Sequence, residues 1–174
     1  MSNSALIDFE LKIKFNSNKP TYQQCLRHLE QQLKKYSYFK PSDLNKLENY
    51  WEFFTIKKNK PFLLAGDICN HILFIHKGSI KQYIEDKKGK YIIDFFTDGN
   101  FCTASNSYIN QIPAQKGFIC SEETFGVRIS FKEHKKISAA HPIFIKFFNE
   151  KIEETVYRMQ NRLKSFQSTD AKGR

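Results

Sequence analysis

Residues 71–96 read HILFIHKGSIKQYIEDKKGKYIIDFF, and this stretch decides the fold. It is dense in aromatic and β-branched residues, which favour a pleated, half-buried surface, and Gly78 and Gly89 punctuate it. Asp86-Lys87-Lys88-Gly89 is the clearest turn, with a glycine for the position that needs a positive φ. Outward from it, Gly66, Gly78, Gly89 and Gly99 follow one another at intervals of 12, 11 and 10 residues. Strands are predicted at Phe53–Lys57, Phe62–Ala65, His71–Glu85, Lys90–Phe96, Gly117–Ser121 and Phe125–Ser130. Turns this evenly spaced in an all-β stretch indicate a sandwich, barrel or jelly roll.

Helices flank the β-stretch. On the N-terminal side, Tyr22–Lys35 carries Leu26, Leu29 and Leu33 on one helical face, and Ser42 is the expected N-cap of a helix that turns Leu44, Leu47 and Trp51 inward. Before them, Ile7–Phe15 alternates strictly between apolar and charged residues, as a half-buried strand does; it caps a sheet edge or pairs with a second copy. On the C-terminal side, His141-Pro142 opens a helix, and Ile145, Phe148, Ile152, Val156, Met159, Leu163 and Phe166 recur at spacings of 3 and 4. The Phe-rich start should pack on its own β-domain. From Ile152 onward the steps are those of a self-association seam, with Ile152, Val156, Met159, Leu163 and Phe166 as the expected dimer contact.

The chain has 174 residues with 28 Lys and Arg against 18 Asp and Glu, a formal charge of +10. That surplus invites a nucleic-acid reading. Only five of the basic residues are Arg (Arg27, Arg128, Arg158, Arg162, Arg174), however, and no three are consecutive, whereas base readout favours Arg. A dispersed, Lys-rich surface is expected. No apolar run approaches the ~20 residues that span a bilayer and no signal layout opens the chain, so a cytoplasmic protein without a membrane partner is expected. Cys25, Cys69, Cys102 and Cys120 are too scattered for zinc or iron–sulfur ligation and read as buried free thiols.

The order of these elements resembles the Crp/Fnr transcription regulators. The resemblance covers roughly residues 22–174 and rests on Phe62-Leu63-Leu64-Ala65-Gly66-Asp67, Ile72 to Gly78, Tyr83 to Lys90, Phe95 to Phe101 and Val127-Arg128-Ile129-Ser130. It implies an α+β, mainly β fold: a double-stranded β-helix jelly roll, the cyclic-nucleotide-binding-like β-roll, with N-terminal helices and a long C-terminal dimerisation helix. The implied parts are an N-terminal extension at 1–20, the helical lead-in and β-roll at 21–140, the dimerisation helix at 141–169, and the opening of a DNA-binding domain at 170–174.

The resemblance also places a ligand site between Gly99 and Thr124, but the residues depart from the nucleotide-binding pattern. Asn100 stands where relatives hold the ribose with Glu, Ala114-Gln115 where they carry Arg-Ser/Thr, and Met159-Gln160 where they offer small hydroxyl residues to adenine. Without the charge-assisted pair to the phosphate, typically worth ~1.5–3 kcal/mol, cyclic AMP should bind weakly or not at all. Asn100, Phe101, Ser105, Ser107, Ala114, Gln115, Lys116, Met159 and Gln160 are the candidate pocket for some other effector, unless the segment is a solvated loop without a ligand.

Asp170-Ala171-Lys172-Gly173-Arg174 resembles the start of the family's helix-turn-helix domain, which would lie beyond residue 174. Either the chain is part of a longer regulator or the DNA-binding half has been lost. The module therefore reads as a sensor that forms a homodimer through its long helix and reaches DNA only through a domain absent from these residues. The competing reading is a stand-alone β-roll that binds a small molecule or a protein. No catalytic role is expected: HExxH, GxSxG and the phosphate-binding GxxxxGK[ST] are absent. His71 and His76 lie five residues apart on one predicted strand, facing opposite ways, while His28, His134 and His141 are expected at the surface. No cofactor is implied. A lone axial ligand to haem leaves no spacing signature, and an absorbance scan for a Soret band tests that case.

Overall fold

Among the described residues eight short strands, each too small to bury its own apolar face, pair into two antiparallel four-stranded sheets. In chain order they are β1 (Glu52–Ile56), β2 (Pro61–Leu63), β3 (His71–Lys77), β4 (Ile80–Asp86), β5 (Gly89–Phe96), β6 (Phe101–Cys102), β7 (Gly117–Cys120) and β8 (Thr124–Ser130). One sheet runs β1-β8-β3-β6 and the other β2-β7-β4-β5. The computed structural model describes residues 19–170, the side chains of Met159 and of residues 162–170 excepted. The predicted strand Ile7–Phe15 and residues 171–174 lie outside that range.

The stretch expected as one strand, His71–Glu85, is two. Gly78 has φ +123°, and its amide donates to Asp98 Oδ1 at 2.8 Å, so the chain leaves one sheet at Lys77 and enters the other at Ile80. Asp86 Oδ1 then accepts from the amides of Lys88 and Gly89, closing the predicted hairpin between β4 and β5. Leu73, Phe74, Ile75, Ile80, Phe118, Val127 and Ile129 are each fully buried, with Leu73 and Ile75 on one face of β3 and Phe74 on the other, where its ring meets His28. Burial of side chains this size contributes roughly 1.5–3 kcal/mol apiece.

The helices cover this roll. α1 (Tyr22–Leu33) starts with a reciprocal cap: Thr21 Oγ1 accepts from the Gln24 amide, and Gln24 Oε1 accepts from the Thr21 amide. Its buried face is Cys25, Leu26, Leu29 and Leu33, laid on β3 and β8. The next helix, α2 (Pro41–Leu44), is shorter than expected, and Ser42 lies inside it. Lys40 is the N-cap position, where Asp43 Oδ2 accepts the Lys40 amide at 2.9 Å. Leu44, Leu47 and Trp51 are buried as a set. Three helices remain: α3 (Ser105–Asn110), α4 (Phe131–Ala140), capped by Ser130, and α5 (Ile143–Asp170).

α5 begins against the roll with Phe144, Phe147 and Phe148, all buried. Phe147 touches the rings of Tyr36, Phe39, Phe101 and Phe148 at centroid distances of 5.3–5.7 Å. Tyr36 and Tyr38 donate their hydroxyls to Glu154 and Glu150 at 3.1 and 2.6 Å, fastening the loop after α1 to the same helix. Ile145, expected on the inner stripe, is 45% exposed and Phe144 is buried in its place, whereas Phe148 of the same stripe is buried as expected.

Candidate functional site

Where α5 leaves the roll, a cavity of about 490 Å³ opens between the two. One wall is the segment from Gly99 to Lys116, including α3. Ile72, Gln82 and Phe96 form the floor, and His134, Phe148, Lys151, Ile152, Thr155, Val156 and Arg158 close the far side. A ligand here would touch roll and helix together.

Of the sequence-derived candidates, the structure brings Asn100, Phe101, Ser105, Ser107, Ala114, Gln115 and Lys116 to the cavity wall. Gln160 is exposed and lies outside the lining, and the side chain of Met159 is among those not described. Several of the wall residues are engaged in holding the wall itself. Asn100 Oδ1 accepts the Thr97 amide at 3.0 Å. Ser107 Oγ accepts from the Cys69 amide at 2.9 Å and donates to the Ile112 carbonyl at 2.6 Å. The Ala114 amide donates to the Asp67 carbonyl at 2.8 Å, so the backbone donor at this position is occupied. Ser105, Gln115 and Lys116 remain; Lys116 makes no ion pair among the described residues.

Four residues that the sequence reading did not place in the pocket dominate the helical side. His134 is a wall residue at this site, where the sequence suggested a surface position. Its ring stacks on Tyr108 with 23° between planes, lies 4.1 Å from Phe148, and its Nδ1 pairs with the Tyr108 hydroxyl at 2.8 Å. Burial lowers its pKa to about 4, so it is neutral at physiological pH, and burial likewise raises that of Tyr108. Lys151 Nζ donates to Glu154 at 2.7 Å and lies 5.1 Å above Tyr36. Burial acts against its charge, but the hydrogen bonds it makes to Glu154 and Tyr36 outweigh burial and its pKa is raised. Arg158 reaches from α5 to β5: its Nη2 is 3.4 Å from Oδ2 of the buried Asp94, and its guanidinium sits 5.1 Å over Phe96. Lys151, Thr155 and Arg158 recur at spacings of 4 and 3, a polar stripe beside the apolar seam. That spacing was legible; only its direction was not.

Away from the cavity, His28 is not on the exposed side of α1. Its Nδ1 meets Nδ1 of His76 at 3.2 Å, and burial lowers the pKa of both rings. Among the described residues no three His, Cys, Asp or Glu side chains are grouped to hold a metal ion, and no helix is long and apolar enough to cross a membrane.

By sequence, the chain matches no family model and no curated protein. By structure it is similar to the catabolite activator protein of Thermus thermophilus, with 10% identity and a TM-score of 0.64 over 76% of this chain and 62% of that one. It thus spans less than two thirds of that protein's length. The sensor domain of the transcriptional regulator DNR from Pseudomonas aeruginosa matches at 13% identity and a TM-score of 0.61, over 78% of this chain and 93% of that one. A cyclic nucleotide-binding domain from Methylobacillus flagellatus matches at 16% identity and a TM-score of 0.62, over 81% and 83%. The shared feature is the fold: a cyclic-nucleotide-binding-like domain of mixed helices and antiparallel sheets. These neighbours are regulatory or nucleotide-binding domains.

Proposed function

We propose that the chain is the effector-sensing and dimerisation part of a Crp/Fnr-type transcription regulator, a jelly roll whose ligand differs from cyclic AMP. The observation that carries this reading is the position of the cavity, with one wall on the roll and the other on α5. A ligand that fits one packing of the helix better than another biases that packing, and a helix shared across a two-fold axis would pass the bias to a DNA-binding domain following it. No catalytic residue is part of this reading. The engaged Asn100 Oδ1 and Ala114 amide support the exclusion of a cyclic nucleotide, since the one already accepts from Thr97 and the other already donates to Asp67.

Calorimetric titration with cyclic AMP should give no heat of binding in the micromolar range; micromolar affinity overturns that part of the reading. The dimer contact is proposed to run through Ile152, Val156, Met159, Leu163 and Phe166. Val156 is 48% exposed and Tyr157 66%, which leaves apolar surface on this part of α5 for a second helix. Replacing Val156 and Leu163 by Asp should give monomers in light scattering. A dimer of unchanged mass puts the interface elsewhere.

A further inference from the structure

We propose that the effector is a small oxyanion, a carboxylate or phosphate monoester on an apolar body, and that Arg158 receives its charged group in exchange for Asp94. The inference rests on the cavity being a ligand site, as proposed above, and adds the chemistry of the occupant. Phe96, Phe101, Tyr108, Phe148 and Ile152 make much of the wall apolar, and a cavity of about 490 Å³ suits a molecule of drug-like size. The charges around it are unbalanced. Lys116, Lys151 and Arg158 line it, and two carboxylates answer them: Glu154, which Lys151 and Tyr36 already hold, and Asp94, which meets Arg158 from β5, so one positive charge is left over. His134 is neutral and adds nothing to either side.

Arg158 supplies the specific contact. Its separation from Asp94, 3.4 Å, is longer than the ~2.7–2.9 Å of a well-formed guanidinium–carboxylate bond. Its Nε is buried with no acceptor. A buried donor without an acceptor is uncommon, and on the wall of a cavity it marks where a ligand oxygen belongs. Two oxygens of one anion would meet the guanidinium as a fork, which a neutral ligand cannot do. Because Asp94 is on β5 and Arg158 on α5, the exchange replaces a roll-to-helix bond by a ligand-to-helix bond, so occupancy is felt directly by the helix.

The test uses two fluorescent probes that share an aromatic body: anilinonaphthalene sulfonate, which is anionic, and phenylnaphthylamine, which is neutral. The sulfonate probe should bind at one saturable site. Arg158→Gln should weaken it about tenfold, as expected for loss of a charge-assisted bond. Asp94→Asn should tighten it several-fold by removing the competitor, and the double variant should bind as weakly as Arg158→Gln. The neutral probe should respond to none of these changes. Displacement by phenylbutyrate compared with phenyl phosphate separates carboxylate from phosphate monoester; equal displacement by neutral phenylbutanol overturns the oxyanion claim, as does an unchanged affinity in Arg158→Gln. Those failures leave the cavity a ligand site. If neither probe shows binding that Thr155→Trp abolishes by filling the cavity, the sensing reading falls as well.

Discussion

A single proton decides the state of His134. In the folded chain burial holds its pKa at about 4, below the ordinary 6.5, so as pH falls the unfolded chain takes up the proton first. The contribution is complete above about pH 6.5 and is lost between there and about pH 4, and it is worth at most ~3 kcal/mol at 1.36 kcal/mol per pH unit. His134→Phe should therefore lower the melting temperature slightly at neutral pH, where Tyr108 loses its partner, yet narrow the gap between neutral pH and about pH 5. An unchanged gap would assign the acid sensitivity to His28, His71 and His76, which burial shifts the same way. Gly78 and Gly89 make a second residue-scale contrast. Both have positive φ, but a Cβ on Gly78 would lie 2.7 Å from the Thr124 Cα, whereas nothing lies within 4 Å of one on Gly89. Gly78→Ala should cost at least ~2 kcal/mol and Gly89→Ala about 1 kcal/mol, read from urea midpoints.

Elements were legible wherever one side of the chain alone meets the core. Six strand-like runs and the glycines between them account for seven of the strands, because β-branched and aromatic residues cluster there and turns need glycine. β6 leaves no sequence signal because it has two residues, and α4 none because only Ile137 of its ten is buried, without an apolar rhythm. On α5 the rhythm was visible and it places Phe148 inward as found, but not Ile145. Apolar side chains lie on more than one face of its first turns, and the rings of Tyr36, Phe39 and Phe101 select Phe144 and Phe147 over Ile145. The difference is measurable: Phe147→Ala should cost about 3–5 kcal/mol, and Ile145→Ala no more than ~0.5 kcal/mol. The candidate site divides the same way. Its roll wall was readable from the order of segments, but its helical wall depends on which way α5 leans, and that is fixed by aromatic packing distant in sequence.

For the whole molecule the charge of +10 has a narrower meaning than it first suggests. Part of it is gathered in the cavity at Lys116, Lys151 and Arg158, and several surface lysines are tied locally, as in Lys19–Glu123 and Lys136–Glu133. Binding of this chain to duplex DNA should be weak and sequence-independent, and should fall steeply between about 50 and 200 mM salt; fluorescence anisotropy that distinguishes one sequence from another at the higher salt would show otherwise. The four cysteines carry one more consequence. Cys25 in α1, Cys69 before β3, Cys102 in β6 and Cys120 in β7 are all free and have no exposed surface, and burial raises the pKa of Cys25 to about 12 and that of Cys102 well above its ordinary value. A thiol so placed reacts only when its own segment opens. The native chain thus carries four internal clocks, and timed labelling read by mass spectrometry would rank how often the lead-in helix, the turn before β3 and the two strands breathe.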